Sequence, residues 1–134
     1  MDFLVVDDDK TFRDATCFLI DGEGHYAEGV ATGEQALTTI KEEKFDTVLL
    51  DLNLPKVSGL EVLRRIKSDP VTRRIPVVIL AMSRRDHDII ECSRLGAENY
   101  MIKPVSFDGF CKLTPLLSLR WALLDQENSS GSAR

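Results

Sequence analysis

Asp7 and Asp8 close the apolar run Phe3-Leu4-Val5-Val6. Asp51 closes Thr47-Val48-Leu49-Leu50, and Lys103 stands between Tyr100-Met101-Ile102 and Pro104. In an open parallel sheet the strand C-termini share one edge, and ligands bind there. The pattern therefore predicts three carboxylates and an ammonium in one small volume. Anions packed that closely repel, so such a site needs a divalent cation or holds one carboxylate protonated. Metal-assisted phosphoryl transfer suits the set, with Asp51 as the candidate nucleophile.

Short β-rich runs near 3–6, 25–30, 46–50, 76–80 and 99–102 alternate with helical patterns, which predicts an α/β fold on a parallel sheet. Phe12, Ala15, Thr16 and Leu19 keep the spacing of one helix face, as do Gly33, Ala36, Leu37 and Ile40, and Gly59, Val62, Leu63 and Ile66. Thr32 with Gln35, and Ser58 with Glu61, read as capping boxes, and Asp9 reads as a cap of the first helix. The runs at 46–50 and 76–80 are apolar almost throughout, as central strands covered on both faces are. A fourth, weakly amphipathic helix is expected at about 86–95 and a fifth from about 106. The five βα units fill residues 1–125, and 126–134 read as a polar tail.

The chain has 134 residues, enough for one hydrophobic core. Its net charge of −5, with Arg73-Arg74 and Arg84-Arg85 as pairs and no basic stripe, disfavours direct nucleic-acid binding. No apolar run approaches the roughly 20 residues of a membrane span. Cys17, Cys92 and Cys111 have no C-x-x-C spacing, so neither a disulfide framework nor a zinc site is expected. No signal peptide is visible, and a cytoplasmic setting is expected. His25 and His87 have no second ligand at suitable spacing.

Asp7-Asp8, the segment Leu49-Leu50-Asp51-Leu52-Asn53-Leu54-Pro55 with Ser58-Gly59, and Lys103-Pro104 form an ordered set on a (βα)5 pattern. With it the chain resembles the receiver domain of two-component response regulators, over residues 2 to about 124. The resemblance implies a flavodoxin-like, doubly wound five-stranded sheet of order 2-1-3-4-5. It implies that Asp51 accepts a phosphoryl group from a phosphohistidine. Asp8 would bind Mg²⁺ directly, Asp7 through water or by orienting its neighbour, and the Asn53 backbone carbonyl would add a ligand. Lys103 would pair first with Asp51 and then with a phosphoryl oxygen, and the Lys103–Pro104 peptide would be cis. Partners would be a sensor histidine kinase or phosphotransfer protein and a downstream protein. Taken singly, each residue has a plainer role: paired Asp residues cap helices, an Asp opens a turn, a Lys is solvated. Their order along the chain carries the argument.

Four features depart from that pattern or qualify it. Receivers usually carry Thr or Ser at the end of the fourth strand; here the place is Ala81, so one hydrogen bond to the phosphoryl group is absent, and Ser83 stands two residues on. Tyr100 matches the aromatic switch position, and with Ala81 always small its ring is expected to favour the inward rotamer without phosphate. Pro115 falls inside the expected fifth helix and predicts a kink or break near Lys112–Leu113. The apolar surplus around Trp121 suggests a partner or dimer surface formed by the fourth and fifth helices.

Two other functions compete. Ala81 favours a binding module that keeps the fold without the switch and acts independently of phosphorylation. A phosphohydrolase with an Asp nucleophile commonly has its general acid two residues on, and Asn53 cannot do that proton transfer. A flavin site is weaker still, because no Ser/Thr-rich loop follows the first strand. On the leading reading the protein catalyses transfer to its own Asp51 and is not a conventional enzyme.

Overall fold

The computed structural model describes residues 1–103. Five strands alternate with four helices: β1 (Asp2–Val6), α1 (Lys10–Gly22), β2 (Tyr26–Val30), α2 (Gly33–Glu42), β3 (Thr47–Asp51), α3 (Gly59–Ser68), β4 (Val77–Ala81), α4 (Asp86–Arg94) and β5 (Asn99–Ile102). All neighbouring strands pair in parallel, in the order β2-β1-β3-β4-β5. The expected order and fold class are therefore present. The expected fifth helix, the Pro115 kink, the Trp121 surface, Cys111 and the 126–134 tail lie outside the described residues, as does the Lys103–Pro104 peptide.

The helices form where the apolar spacing predicts. Val62, Leu63 and Ile66 of α3 and Ala36 and Ile40 of α2 are buried in one cluster with Leu4 and Val6 of β1, Val48 and Leu50 of β3, and Cys92 of α4. The other sheet face buries Phe3, Val5, Leu49, Val78 and Leu80 under Ile20, Cys17 and Phe12 of α1. Central β3 and β4 are buried at every position, which explains their unbroken apolar sequence.

Asp9 caps α1 as expected, its side chain accepting from the Phe12 N–H. The two capping boxes are each only half formed as read. Thr32 accepts from the Gln35 N–H, but Gln35 returns its Oε1 to the N–H of Ala31, one residue before the cap. Ser58 accepts from the Glu61 N–H, whereas the Glu61 carboxylate is taken by Arg64 and Arg65. Two guanidiniums on the next turn outcompete a neutral backbone N–H for that carboxylate. Arg85, at the N-cap of α4, makes no side-chain capping bond.

Candidate functional site

Strand parity decides which side chains meet. Along a strand, alternate residues share a face. Phe3 and Val5 face α1, so Asp7 follows on that face; Leu49 leads in the same way to Asp51, and Met101 to Lys103. The register Val6↔Leu50 continued by one sets Asp7 beside Asp51. Lys103 lies one pleat beyond the row Asp51–Leu80–Met101, and its long side chain runs back to both acids. Its ammonium is 2.7 Å from Asp7 Oδ2 and 3.3 Å from Asp51 Oδ2.

The three side chains are removed from solvent: Asp7 is 2% exposed, Asp51 3% and Lys103 11%. Asp7 Oδ1 accepts the Asp9 N–H at 2.9 Å, while its buried Oδ2 meets the Lys103 ammonium as an ion pair without hydrogen-bond geometry. Lys103 pairs with the Asp51 carboxylate, as the resemblance implies, and more closely with Asp7. Asp51 shares its charge with a second donor: its Oδ1 accepts the Asn53 N–H at 3.1 Å. Asp8 is exposed at the mouth of the site.

Burial pushes the Asp51 carboxyl up to about 6; the Asn53 N–H draws it down, the Asp7 charge raises it again, and Lys103 offsets only part. Burial alone would lower Lys103, but its contacts with Asp7 and Asp51 outweigh that and hold it above its ordinary value. The cluster thus carries more negative charge than its one ammonium compensates. Asp7, Asp8 and Asp51 each offer a carboxylate oxygen within 4.8 Å of the others. Hard oxygen donors with one member open to water fit a dication such as Mg²⁺, which keeps several waters. Asn53 is exposed beside the cluster, and its N–H is bonded to Asp51.

The loop after β3 holds this geometry by a close backbone approach. The Gly59 N–H donates to the Leu52 carbonyl at 3.1 Å. A Cβ on Gly59 would stand 2.4 Å from the Asp51 carbonyl oxygen, so only glycine fits where α3 starts against the end of β3. Lys56 in the same loop has φ 62, a left-handed conformation unusual for a side chain of its size.

Ala81 and Tyr100 occupy the opposite face. Ala81 follows Val77 and Ile79 in the cluster under α2–α4, and the Tyr100 ring packs on that cluster. The Tyr100 hydroxyl donates to the Ser83 carbonyl at 3.0 Å. Burial first, and then Asp88, raise its pKa, so it is a donor at neutral pH. Tyr100, Ala81, Ser83 and Asn53 line a cavity of about 110 Å³ between the β4–α4 loop and the β3 end. Ser83 is exposed in that loop; its carbonyl is the group engaged.

Two residues at the site carried no role in the sequence reading. Arg13 donates from Nη1 to the Asp7 carbonyl at 2.8 Å, its stem lying where a Cβ on Gly29 would meet Arg13 Cγ at 2.9 Å. Phe12, read only as an apolar helix position, presents its ring to the Lys103 ammonium at 4.8 Å from the centroid. The i, i+3, i+4 spacing placed Phe12 on the correct face, but no spacing rule links α1 to the end of β5.

The chain is similar to known proteins in sequence and in fold. The family model described as the response regulator receiver domain matches residues 3–114. The DNA-binding response regulator MtrA of Mycolicibacterium smegmatis is 36% identical over 101 residues, covering 75% of this chain and 43% of MtrA. The chain spans under half the length of curated relatives it matches, 44% and 43% for two of them. The phosphorylated cyanobacterial phytochrome response regulator RcpA superposes with TM-score 0.84 at 29% identity over 90% of this chain and 93% of RcpA. The Mn²⁺-bound form of the response regulator Rcp1 gives TM-score 0.78 at 29% identity over 84% and 88%. With the acids and the lysine gathered at one sheet edge and the family model spanning nearly the whole described chain, this protein belongs to the response regulator receiver domains.

Proposed function

We propose that the domain accepts a phosphoryl group on Asp51 from the phosphohistidine of a sensor kinase or phosphotransfer protein, and passes that state on by protein contact. The observation that carries this reading is the way Asp51 is held: Oδ1 by the Asn53 N–H, Oδ2 near Lys103, and Asp8 open beside it. In the transfer an Asp51 oxygen forms the O–P bond as the N–P bond breaks, and the electron pair leaves on the imidazole nitrogen. Lys103 stays protonated and turns from the carboxylates to a phosphoryl oxygen, opposing the charge that is moved. Mg²⁺ on Asp8, Asp51 and the Asn53 carbonyl, with Asp7 orienting its neighbours, would supply further charge compensation. The domain so read catalyses modification of its own carboxylate and turns over no separate substrate.

Incubation with a small acyl phosphate should add one phosphoryl group by intact mass when Mg²⁺ is present and none in chelator. Uptake that ignores the metal would contradict the proposed role of the acid cluster. The name MtrA attaches DNA binding to that relative; for this acidic domain we propose protein partners only, and a cytoplasmic setting. Among the described residues no helix is long and apolar enough to cross a membrane.

A second reading is favoured by one contact. Tyr100 is bonded to the Ser83 carbonyl and lines one cavity with Ala81, which has no hydroxyl to couple that position to a phosphoryl group. A domain held this way binds its partner with little dependence on phosphorylation.

A further inference from the structure

The Lys103 ammonium has three N–H donors to place. Asp7 and Asp51 lie 2.7 and 3.3 Å from it, and with the side chain 11% exposed, water has little access to it. Among the described residues, the further group beside it is the face of Phe12, 4.8 Å away and inside the roughly 6 Å range of cation–π attraction. Phe12 is itself fixed. Its N–H is bonded to Asp9 Oδ1 at 3.2 Å, its carbonyl accepts the Thr16 hydroxyl at 2.7 Å, and its ring joins the apolar cluster that includes Met101.

We propose that Phe12 is a positioning residue for phosphoryl transfer: its ring face holds the Lys103 ammonium at the place from which it reaches the phosphoryl group on Asp51. This rests on the reading of Asp51 as acceptor. The chemistry favours a ring over a hydrogen-bonding group at this place. A third carboxylate would retain the ammonium when the phosphoryl group arrives, and an aliphatic chain would leave that side without a partner. A π face attracts the charge without fixing an N–H direction, so the ammonium can pivot from Asp7 and Asp51 to a phosphoryl oxygen while staying partnered.

The test is a series at position 12, measured with an acyl phosphate in saturating Mg²⁺. Phe12→Leu should slow phosphorylation about three- to tenfold, while Mg²⁺ affinity stays within about twofold. Phe12→Tyr and Phe12→Trp, which keep a ring face, should retain most of the rate. Phe12→Met serves as the aliphatic variant if Phe12→Leu does not fold. In each folded variant, selectively ¹³C-labelled lysine reports the contact, because the ring shifts the Lys103 ε-methylene protons upfield in wild type and the shift should vanish with Leu or Met. An aliphatic variant at the wild-type rate, or aromatic and aliphatic variants slowed alike, overturns the proposal. A wild-type protein that takes up no phosphoryl group overturns the reading of Asp51, and the ring-current shift then decides by itself whether Phe12 holds Lys103.

Discussion

Burial and the nearby Asp7 raise Asp51 from the ordinary 3.8 to about 6, so the folded, metal-free protein holds this proton more tightly than the unfolded chain. The stability this contributes is complete below about pH 4 and is lost as pH rises through 6, on the order of 2–3 kcal/mol in all. In chelator, Asp51→Asn should therefore melt above wild type at pH 7, and the difference should shrink toward pH 4. Equal melting temperatures at pH 7 would mean that the cluster is not under charge strain. Asp8 is the contrasting case. It is exposed, so Asp8→Asn should change metal-free stability by no more than about 0.5 kcal/mol. Mg²⁺-dependent stabilisation should nevertheless disappear with it; a retained Mg²⁺ shift in a thermal melt would remove Asp8 from the ligand set.

Elements place these residues through parity and close approach. Gly59→Ala puts a methyl against the Asp51 carbonyl and the Leu52 backbone, neither of which can move without shifting β3. We expect a loss of about 1–3 kcal/mol in denaturant unfolding, together with slower phosphorylation; a neutral substitution would show that the β3–α3 junction is looser than described. Lys56→Gly should stabilise by up to about 1 kcal/mol, by removing the side chain from a left-handed backbone. Much of this level was legible in the sequence. Unbroken apolar runs identified β3 and β4, the 3.6-residue spacing gave the buried faces of α2 and α3, and acids at strand ends implied one shared edge. The return half of each capping box was not legible, because a carboxylate such as Glu61 chooses among donors by charge and reach, and Arg64 and Arg65 win. Nor was the third partner of Lys103, since contact between α1 and β5 depends on how the helix lies across the sheet.

At the scale of the whole domain, the sheet separates two groups of residues. Asp7, Asp51 and Lys103 follow the α1 face, whereas Ala81 and Tyr100 follow the α4 face. Signalling from one to the other needs a contact that differs between the two states, because a ligand shifts an equilibrium only by its differential affinity. Ala81 offers no hydroxyl to make that contact, and Tyr100 is held by its bond to the Ser83 carbonyl. Phosphorylation should thus move Tyr100 little in wild type. Ala81→Thr should restore a response, with one hydrogen bond of about 0.5–1.5 kcal/mol shifting its population severalfold. NMR of Tyr100 in both proteins, with and without a beryllofluoride phosphoryl mimic, checks this; a full swing of the wild-type ring would contradict it. The expectations about phosphorylation stand on Asp51 as the acceptor. The most direct test is to phosphorylate wild type and Asp51→Asn with an acyl phosphate in Mg²⁺ and map the modified residue by peptide mass spectrometry. The account predicts one phosphoryl group on Asp51 and none on the variant; equal labelling of Asp51→Asn, or a modified residue elsewhere in wild type, would contradict it.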